Sequence, residues 1–89
     1  FVMDVRADDP SMSGTWQKQS SSYTFSDGQT CVYYLNPNNS MYCMRYSTTD
    51  NEWQLGPAPG QGGWYVNYRK TTLYGNWGDG YTALIITQN

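Results

Sequence analysis

Histidine is absent from the chain, and this absence excludes several kinds of chemistry. Neither a Ser-His-Asp nor a Cys-His catalytic arrangement can form without it. A zinc site is disfavoured as well, because the two cysteines, Cys31 and Cys43, do not form a C-x-x-C pair. The short acidic segments 8–9 and 50–52 lack the spacing of a calcium loop. We therefore predict a protein that is not an enzyme and that holds no cofactor or metal ion.

Charge and long apolar runs are also scarce. Charged residues make up 13% of the chain and the net charge is -2, so the basic surface that nucleic acids require is not predicted. The longest apolar run, residues 83–86, is far shorter than the roughly 20 residues of a transmembrane helix. No segment has the pattern of a signal peptide. The sequence predicts neither a nucleic-acid partner nor a transmembrane segment.

Aromatic residues, by contrast, are abundant, at 17% of the chain. Aromatic and β-branched side chains favour pleated, half-buried surfaces, and Gly and Pro occur too often here for long helices. The chain is short enough for one domain only. The predicted class is all-β, with strands at residues 1–6, 15–18, 22–25, 29–35, 41–47, 52–55, 64–68, 73–77 and 81–87.

Turn signals separate several of these strands. Residues 36–39 (Asn-Pro-Asn-Asn) predict a tight turn between two hairpin strands, since Asn tolerates the left-handed conformation and Pro presets φ. Residues 56–63 (GPAPGQGG) predict a loop. Residues 81–86 are apolar nearly throughout, which predicts a last strand covered on both faces.

Two pairs of segments resemble each other within the chain. Residues 25–34 match residues 77–86, and residues 5–17 match residues 45–54. The order then reads as a half unit (1–19), a complete four-stranded unit (20–58) and a second half unit (59–89). Four-stranded repeats of about 40–50 residues are typical of β-propeller blades. About two blades per chain would need to close by oligomerisation.

Two observations leave an alternative open. The connection that precedes the second copy, after Trp53, is longer than the corresponding connection after Trp16. Hairpins in a Tyr- and Thr-rich chain can also resemble each other by chance. The alternative fold is a small β-sandwich or barrel.

The central unit resembles the fucose-binding six-bladed β-propeller lectins of fungi and bacteria. The resemblance rests on residues 30–34 (TCVYY), the Asn-rich turn, residues 41–46 (MYCMRY) and the segment around Trp53. It covers well under half of the chain. Some bacterial members of that family hold two blades per chain and close as trimers, so the resemblance implies a homo-oligomer, with a trimer favoured, and a glycan ligand.

The chain differs from that family at the residues that bind the sugar. Cys31 stands where the family has an arginine and Cys43 where it has a glutamate, while the third partial unit has Ala83 at the arginine place. Only Trp53, and with it Trp16, keeps the family's aromatic residue. The fucose-binding residues of the family therefore cannot be assigned to this chain, and the ligand or its site must differ.

The two cysteines fall in predicted strands that flank one turn, so a disulfide between Cys31 and Cys43 is predicted. Such a bridge would imply an oxidising compartment, and with it a secreted or extracellular protein. Two buried free thiols are the alternative.

The leading hypothesis is a lectin-like carbohydrate-binding module. Sugar rings rest their C–H faces on aromatic rings, while their hydroxyls need polar partners. The predicted site residues are the platforms Trp53, Trp16, Trp64 and Trp77 and the hydrogen-bonding residues Arg45, Tyr65 and Arg69.

Two further hypotheses remain. A secreted protein-binding module, such as an inhibitor or toxin subunit, is suggested by the small size and by an exposed loop at residues 57–59 (Pro-Ala-Pro). The chain could instead be a structural fragment of a larger propeller.

Overall fold

The computed structural model describes residues 2–78 and 84–88 and places them in ten β-strands and one short 3-10 helix, Pro10–Met12. The predicted all-β class is confirmed. Within this part of the chain no helix has the length and apolar character needed to cross a membrane. The strands are β1 (Val2–Ala7), β2 (Gly14–Lys18), β3 (Tyr23–Thr24), β4 (Thr30–Cys31), β5 (Tyr33–Asn36), β6 (Asn39–Ser47), β7 (Glu52–Pro57), β8 (Tyr68–Lys70), β9 (Gly75–Asn76) and β10 (Leu84–Gln88).

Eight strands form one antiparallel sheet in the order β8-β7-β6-β5-β2-β1-β10-β9, and β3 and β4 pair separately as a ribbon. The sheet is continuous through its middle, where Gln17 of β2 pairs with Leu35 of β5. Its two edge strands approach each other, since a Cβ atom added to Gly75 would lie 3.3 Å from Lys70 Cε. Residues 71–74 alone connect these edges. The result is a strongly curled sheet.

The two segments 5–17 and 45–54, which match in sequence, each cover part of an antiparallel hairpin, β1–β2 and β6–β7 respectively. In each hairpin a tryptophan lies on the second strand: Trp16 pairs with Met3, and Trp53 pairs with Tyr46. The match between 25–34 and 77–86 cannot be followed in the same way, because residues 79–83 lie outside the described residues. Each matching segment thus covers part of a hairpin whose second strand carries a tryptophan.

The main core fills the concave side of the curled sheet. Alternate residues of β1 point into it, which buries Met3 and Val5 and leaves Val2 40% exposed. Trp16 is fully buried beside them, and its indole N–H donates to the Met12 carbonyl oxygen at 3.0 Å. The other buried members of this cluster are Met12, Tyr34, Met44, Leu55, Trp77, Leu84 and Ile86.

A second, smaller cluster lies on the opposite face of β5, β6 and β7. The β3–β4 ribbon and the chain after β7 cover this face and bury Phe25, Cys31, Cys43 and Ala58 together. The Phe25 and Trp64 rings meet edge to face, with their centroids 5.0 Å apart. This cluster fixes the ribbon and the following loop on the sheet, and the grooves described below form at its border.

The predicted strand 29–35 is divided in two. Cys31 pairs with Tyr23 in the ribbon, whereas Tyr33 pairs with Arg45 in the main sheet. Val32 lies at the crossing, and its carbonyl oxygen accepts a hydrogen bond from the Tyr46 amide at 3.1 Å. The division arises because this one segment serves both sheets.

The predicted strand 64–68 is wrong in position. The strand begins at Tyr68 and runs to Lys70, while β7 continues to Pro57, through two positions predicted as loop. Trp64 instead covers the second cluster, and its backbone N–H donates to Ser26 Oγ at 2.7 Å. Residues 64–67 are thus used for packing rather than for strand pairing.

The last strand is also different from its prediction. Of the predicted strand 81–87, residues 81–83 lie outside the described residues, and β10 spans Leu84–Gln88. Leu84 and Ile86 are buried, but Ile85 is 41% exposed. The strand is therefore covered on one face only, which is the ordinary alternation of an antiparallel sheet.

The predicted disulfide is not formed, because Cys31 and Cys43 are both buried free thiols. Cys31 belongs to the ribbon, whereas Cys43 pairs with Leu35 in the main sheet. Burial raises the pKa of the Cys43 thiol to about 12, so this thiol is protonated at neutral pH. The expectation of secretion, which rested on a bridge, has no support from these cysteines.

Candidate functional site

A groove of about 400 Å³ opens between the end of β2, strand β5 and the loop after β7. We call it the amide groove. Gln17 and Gln19 alternate with the strand period and so share the face on which Leu35 lies, because Gln17 and Leu35 are direct partners. The residues that define the amide groove are Gln17, Gln19, Tyr33, Leu35, Ser40 and Gln61.

Neutral polar side chains dominate the chemistry of the amide groove. Gln17 and Gln61 are exposed, and their side-chain amides make no hydrogen bond with the described residues. The Gln19 amide donates to the Gln17 carbonyl oxygen at 3.0 Å, which orients its side chain along the groove wall. Among the described lining residues none carries a charge. The groove therefore offers uncharged donors and acceptors to a ligand.

Tyr33 and Leu35 supply the apolar part of the amide groove. The Tyr33 ring is half-buried, and its centroid lies 6.0 Å from that of Phe25 and 6.2 Å from that of Tyr23. Burial raises the pKa of the Tyr33 phenol, so its hydroxyl keeps its proton at neutral pH. These aromatic contacts hold the ring in place before any ligand arrives.

The far wall of the amide groove is a short loop, residues 58–63, that several backbone contacts hold. The Ala58 amide donates to the Met41 carbonyl oxygen and the Gln61 amide donates to that of Ala58, each at 3.0 Å. Gly60 and Gly62 have φ values of 84° and 98°, which favour glycine. The two glycines thus let the chain turn tightly around Gln61.

Trp64 anchors the end of this loop on β7. A Cβ atom added to Gly56 would lie 2.6 Å from Trp64 Cη2, so the indole occupies the space that a side chain at position 56 would need. The indole N–H of Trp64 is buried without a hydrogen-bond partner among the described residues. The Trp64 ring, predicted as a platform for a sugar, is therefore packed against Gly56.

Arg45 lies beneath Trp64 and is 1% exposed. Its Cζ atom is 3.9 Å from the centroid of the Trp64 ring. Nη1 and Nη2 donate to the two carboxylate oxygens of Asp27 at 3.0 and 2.6 Å, and Nε donates to Gln54 Oε1 at 2.9 Å. Each nitrogen of the guanidinium thus donates to a side chain of the protein, and Arg45, predicted as a sugar contact, is buried beneath the Trp64 ring.

The buried polar network continues from Gln54 to the surface. Gln54 Nε2 donates to Asp50 Oδ2 at 3.0 Å and to Glu52 Oε2 at 2.9 Å, and Arg69 Nη1 lies 3.3 Å from the same Glu52 oxygen. The hydrogen bonds from the Arg45 side chain hold the pKa of Asp27 below its usual value. Asp27 is therefore ionised at neutral pH and balances the buried guanidinium.

The other predicted site residues do not converge on one place. Trp16 and Trp77 are 0% and 5% exposed and offer no ring face to a ligand. Trp53 is half-buried and packs against Tyr46, with centroids 5.3 Å apart. Tyr65 is 55% exposed, and the Arg69 side chain is 61% exposed. Arg69 pairs with Gln54, one residue from Trp53 in β7, and so it lies on the other face of the sheet from that ring.

The loop predicted as an exposed protein-binding segment is mostly covered. Pro57 and Ala58 are buried, and Pro59 is half-buried. Cys31 and Cys43 lie inside the second cluster. Of the loop residues, Pro59 is the least covered, and it lines the amide groove.

A second groove, of about 360 Å³, adjoins the amide groove at Gln19. We call it the serine groove. It follows the chain from the end of β2 toward the ribbon, and Val32, which is 39% exposed, lines its opposite side. Its residues are Lys18, Gln19, Ser20, Ser21, Ser22 and Val32.

None of the residues that define the amide groove is among the predicted site residues. The spacing of Gln17 and Gln19 is a signal for two amides on one strand face, but nothing local indicates that Gln61 returns to the same place. Tyr33 belongs to a predicted strand and to the segment 30–34, but nothing in the sequence marks it as a groove residue. Among the described residues there is also no group of three or more potential metal ligands.

No protein-family model, curated protein or solved structure matches the chain, so the site stands on its geometry alone.

Proposed function

We propose that the protein is a carbohydrate-binding module that holds a neutral sugar in the amide groove. The observation that carries this proposal is the lining of the groove: three glutamine side chains stand beside the Tyr33 ring around a volume of about 400 Å³. This volume falls within the range of about 300–1,000 Å³ that is usual for ligand pockets.

The chemistry of a sugar fits this lining. Sugar hydroxyls both donate and accept hydrogen bonds, and a glutamine amide can do both at once. An aromatic ring such as Tyr33 offers an apolar face and a hydroxyl together. A ligand with a formal charge would have to lose water without gaining an opposite charge from the described lining, which is unfavourable. A neutral sugar is the ligand class that avoids this cost.

The test is a titration followed by amide chemical shifts in ¹⁵N-labelled protein. Neutral mono- and disaccharides, including glucose, galactose, mannose, fucose and N-acetylglucosamine, would be added one at a time. We expect shifts confined to residues around Gln19, Tyr33 and Gln61 for at least one of them. Gln61→Ala should weaken that binding about tenfold, since it removes hydrogen bonds to the sugar.

Asn67→Ala is the matched control. Asn67 is an exposed amide outside both grooves, so its removal should leave sugar affinity unchanged. If the whole panel leaves the groove residues unshifted, or if Gln61→Ala and Asn67→Ala behave alike, the proposal fails.

The proposal also includes the way in which copies of the chain assemble. In it, the chain supplies two propeller-like blade units, and three chains close the ring. Support comes from the two hairpins, β1–β2 and β6–β7, that share sequence and the placement of a tryptophan. An assembly of this kind would present several grooves and gain avidity for a branched or repeating glycan.

Light scattering on a size-exclusion column tests the assembly. A mass three times that of one chain would support the ring. A folded monomer would overturn it and leave a single curled sheet as the complete unit, without bearing on the amide groove.

A further inference from the structure

We infer that the ligand is an extended oligosaccharide chain, with one end in the amide groove and the other in the serine groove. This inference rests on the proposed function and goes beyond it by naming the length of the ligand. The two cavities, of about 400 and 360 Å³, share Gln19 in their linings. The two grooves therefore meet at residue 19.

The position of Gln19 explains how one ligand could pass between the two grooves. Its backbone N–H donates to the Tyr33 carbonyl oxygen at 2.9 Å, which fixes the chain where β2 ends. Its side-chain amide is held by the Gln17 carbonyl oxygen. Residue 19 is therefore a fixed polar contact at the junction, where a glycosidic linkage would lie.

The serine groove provides the same kind of contacts as the amide groove. Ser20, Ser21 and Ser22 are exposed hydroxyls that can donate and accept, and Val32 offers an apolar patch beside them. Unlike the amide groove, it has one charged residue in its described lining, Lys18, and none of its described lining residues is acidic. A second stretch of a sugar chain finds hydroxyl partners on one side and an apolar surface on the other.

A single monosaccharide cannot use both grooves. Each cavity alone reaches the size of an ordinary ligand pocket, so one sugar ring leaves the second groove empty. A chain of several rings would gain contacts with each added unit until both grooves are full. Affinity should therefore rise with chain length and then stop rising.

The experiment is calorimetric titration with two neutral series, the β-1,4-linked oligomers of glucose and of N-acetylglucosamine, from one to six units. In at least one series, Kd should fall about tenfold or more between the monosaccharide and the tetrasaccharide, because two or three added hydrogen bonds contribute this much. Beyond the length that fills both grooves, Kd should stay constant.

A blocking variant separates the two grooves. Ser21→Trp places a large side chain in the serine groove at an exposed position. It should reduce the affinity for long oligomers to that of the short ones and leave the short ones unaffected. Thr49→Trp, at an exposed turn position outside both grooves, is the matched control and should change neither.

The outcomes distinguish this inference from the function on which it rests. If short and long oligomers bind equally well, or if Ser21→Trp and Thr49→Trp have the same effect, the extended ligand is overturned while sugar binding in the amide groove stands. If no oligomer of either series binds and no monosaccharide shifts the groove residues, both the extended ligand and sugar binding in the amide groove are overturned.

Discussion

Arg45 is a buried cation whose partners come from three separate segments. Asp27 belongs to the turn after β3, Gln54 to β7 and Trp64 to the loop beyond it. The guanidinium makes a bidentate contact with a carboxylate, a hydrogen bond to a side-chain amide and a stacking contact with a ring. These contacts leave it little freedom to move. The residue therefore ties the ribbon and the loop to the sheet rather than serving a ligand.

Replacing Arg45 should be strongly destabilising. In Arg45→Met the buried Gln54 amide and the Asp27 carboxylate, whose side chain is 29% exposed, lose their main partner inside the protein, and leaving such groups without a partner costs about 1–3 kcal/mol. Urea denaturation would give the free energy of unfolding. Arg69→Met is the matched control, because the Arg69–Glu52 pair is exposed on the arginine side and should contribute less than about 1 kcal/mol. Equal losses in the two variants would contradict the structural role of Arg45.

At the scale of elements, the loop 58–63 depends on a glycine in the strand that precedes it. Gly56 leaves the space that the Trp64 ring fills. The indole anchors the end of the loop, and the loop carries Gln61 to the amide groove. Gly56, which has no side chain, thus positions the loop that carries Gln61.

Gly56→Ala should therefore affect both stability and binding. Its Cβ would lie within 3 Å of the Trp64 ring, and overpacking of this kind costs about 1–3 kcal/mol. Displacement of Trp64 should also weaken sugar binding. Gly63→Ala is the control, since its Cβ would meet only Ser26 Oγ at 3.9 Å. Thermal unfolding and the sugar titration measure the two effects, and a Gly56→Ala protein as stable as Gly63→Ala would be inconsistent with this packing.

The elements that sequence analysis predicted well are those with local causes. The hairpin of β5 and β6 follows from the Asn-Pro-Asn-Asn turn, and β7 follows the short polar turn after β6. The elements predicted poorly depend on distant contacts. Residues 64–67 have a strand-like composition, yet Trp64 lies against Gly56 and binds Ser26 through its backbone. No pattern within a short window contains that information.

The candidate site shows the same limit. The burial of Trp16 and Trp77 results from the curling of the whole sheet, which composition does not reveal. The polar surroundings of Arg45 come from Asp27, in a different element of the chain. The alternation of Gln17 and Gln19 could have been recognised, but Gln61 joins them only through the path of the loop.

At the scale of the whole molecule, acid should weaken the fold through Asp27. The hydrogen bonds from the Arg45 side chain lower the pKa of Asp27 from its ordinary value of 3.8. A carboxyl whose pKa is lowered by folding stabilises the folded state above its unfolded pKa, and this stabilisation is lost as the pH falls through the folded value. The free energy of unfolding should therefore fall below about pH 4.

Urea denaturation across pH 2–7 in the wild type and in Asp27→Asn would measure this contribution. The variant should be less stable at neutral pH, and the difference between the two proteins should shrink as the pH is lowered. A difference that stays constant down to pH 2 would mean that the ionisation of Asp27 is not what holds Arg45.

The pairing of β1 with β10 has a consequence for engineering. Residue 3 lies directly opposite residue 88 in this antiparallel pair, so the chain enters and leaves the sheet at neighbouring points. The segment bounded by residues 3 and 88 can be spliced into a surface loop of a host protein without forcing the two sides of the loop apart. If the amide groove binds a sugar as proposed, an enzyme carrying this insert in a loop beside its active site would report the binding as a change in its own turnover.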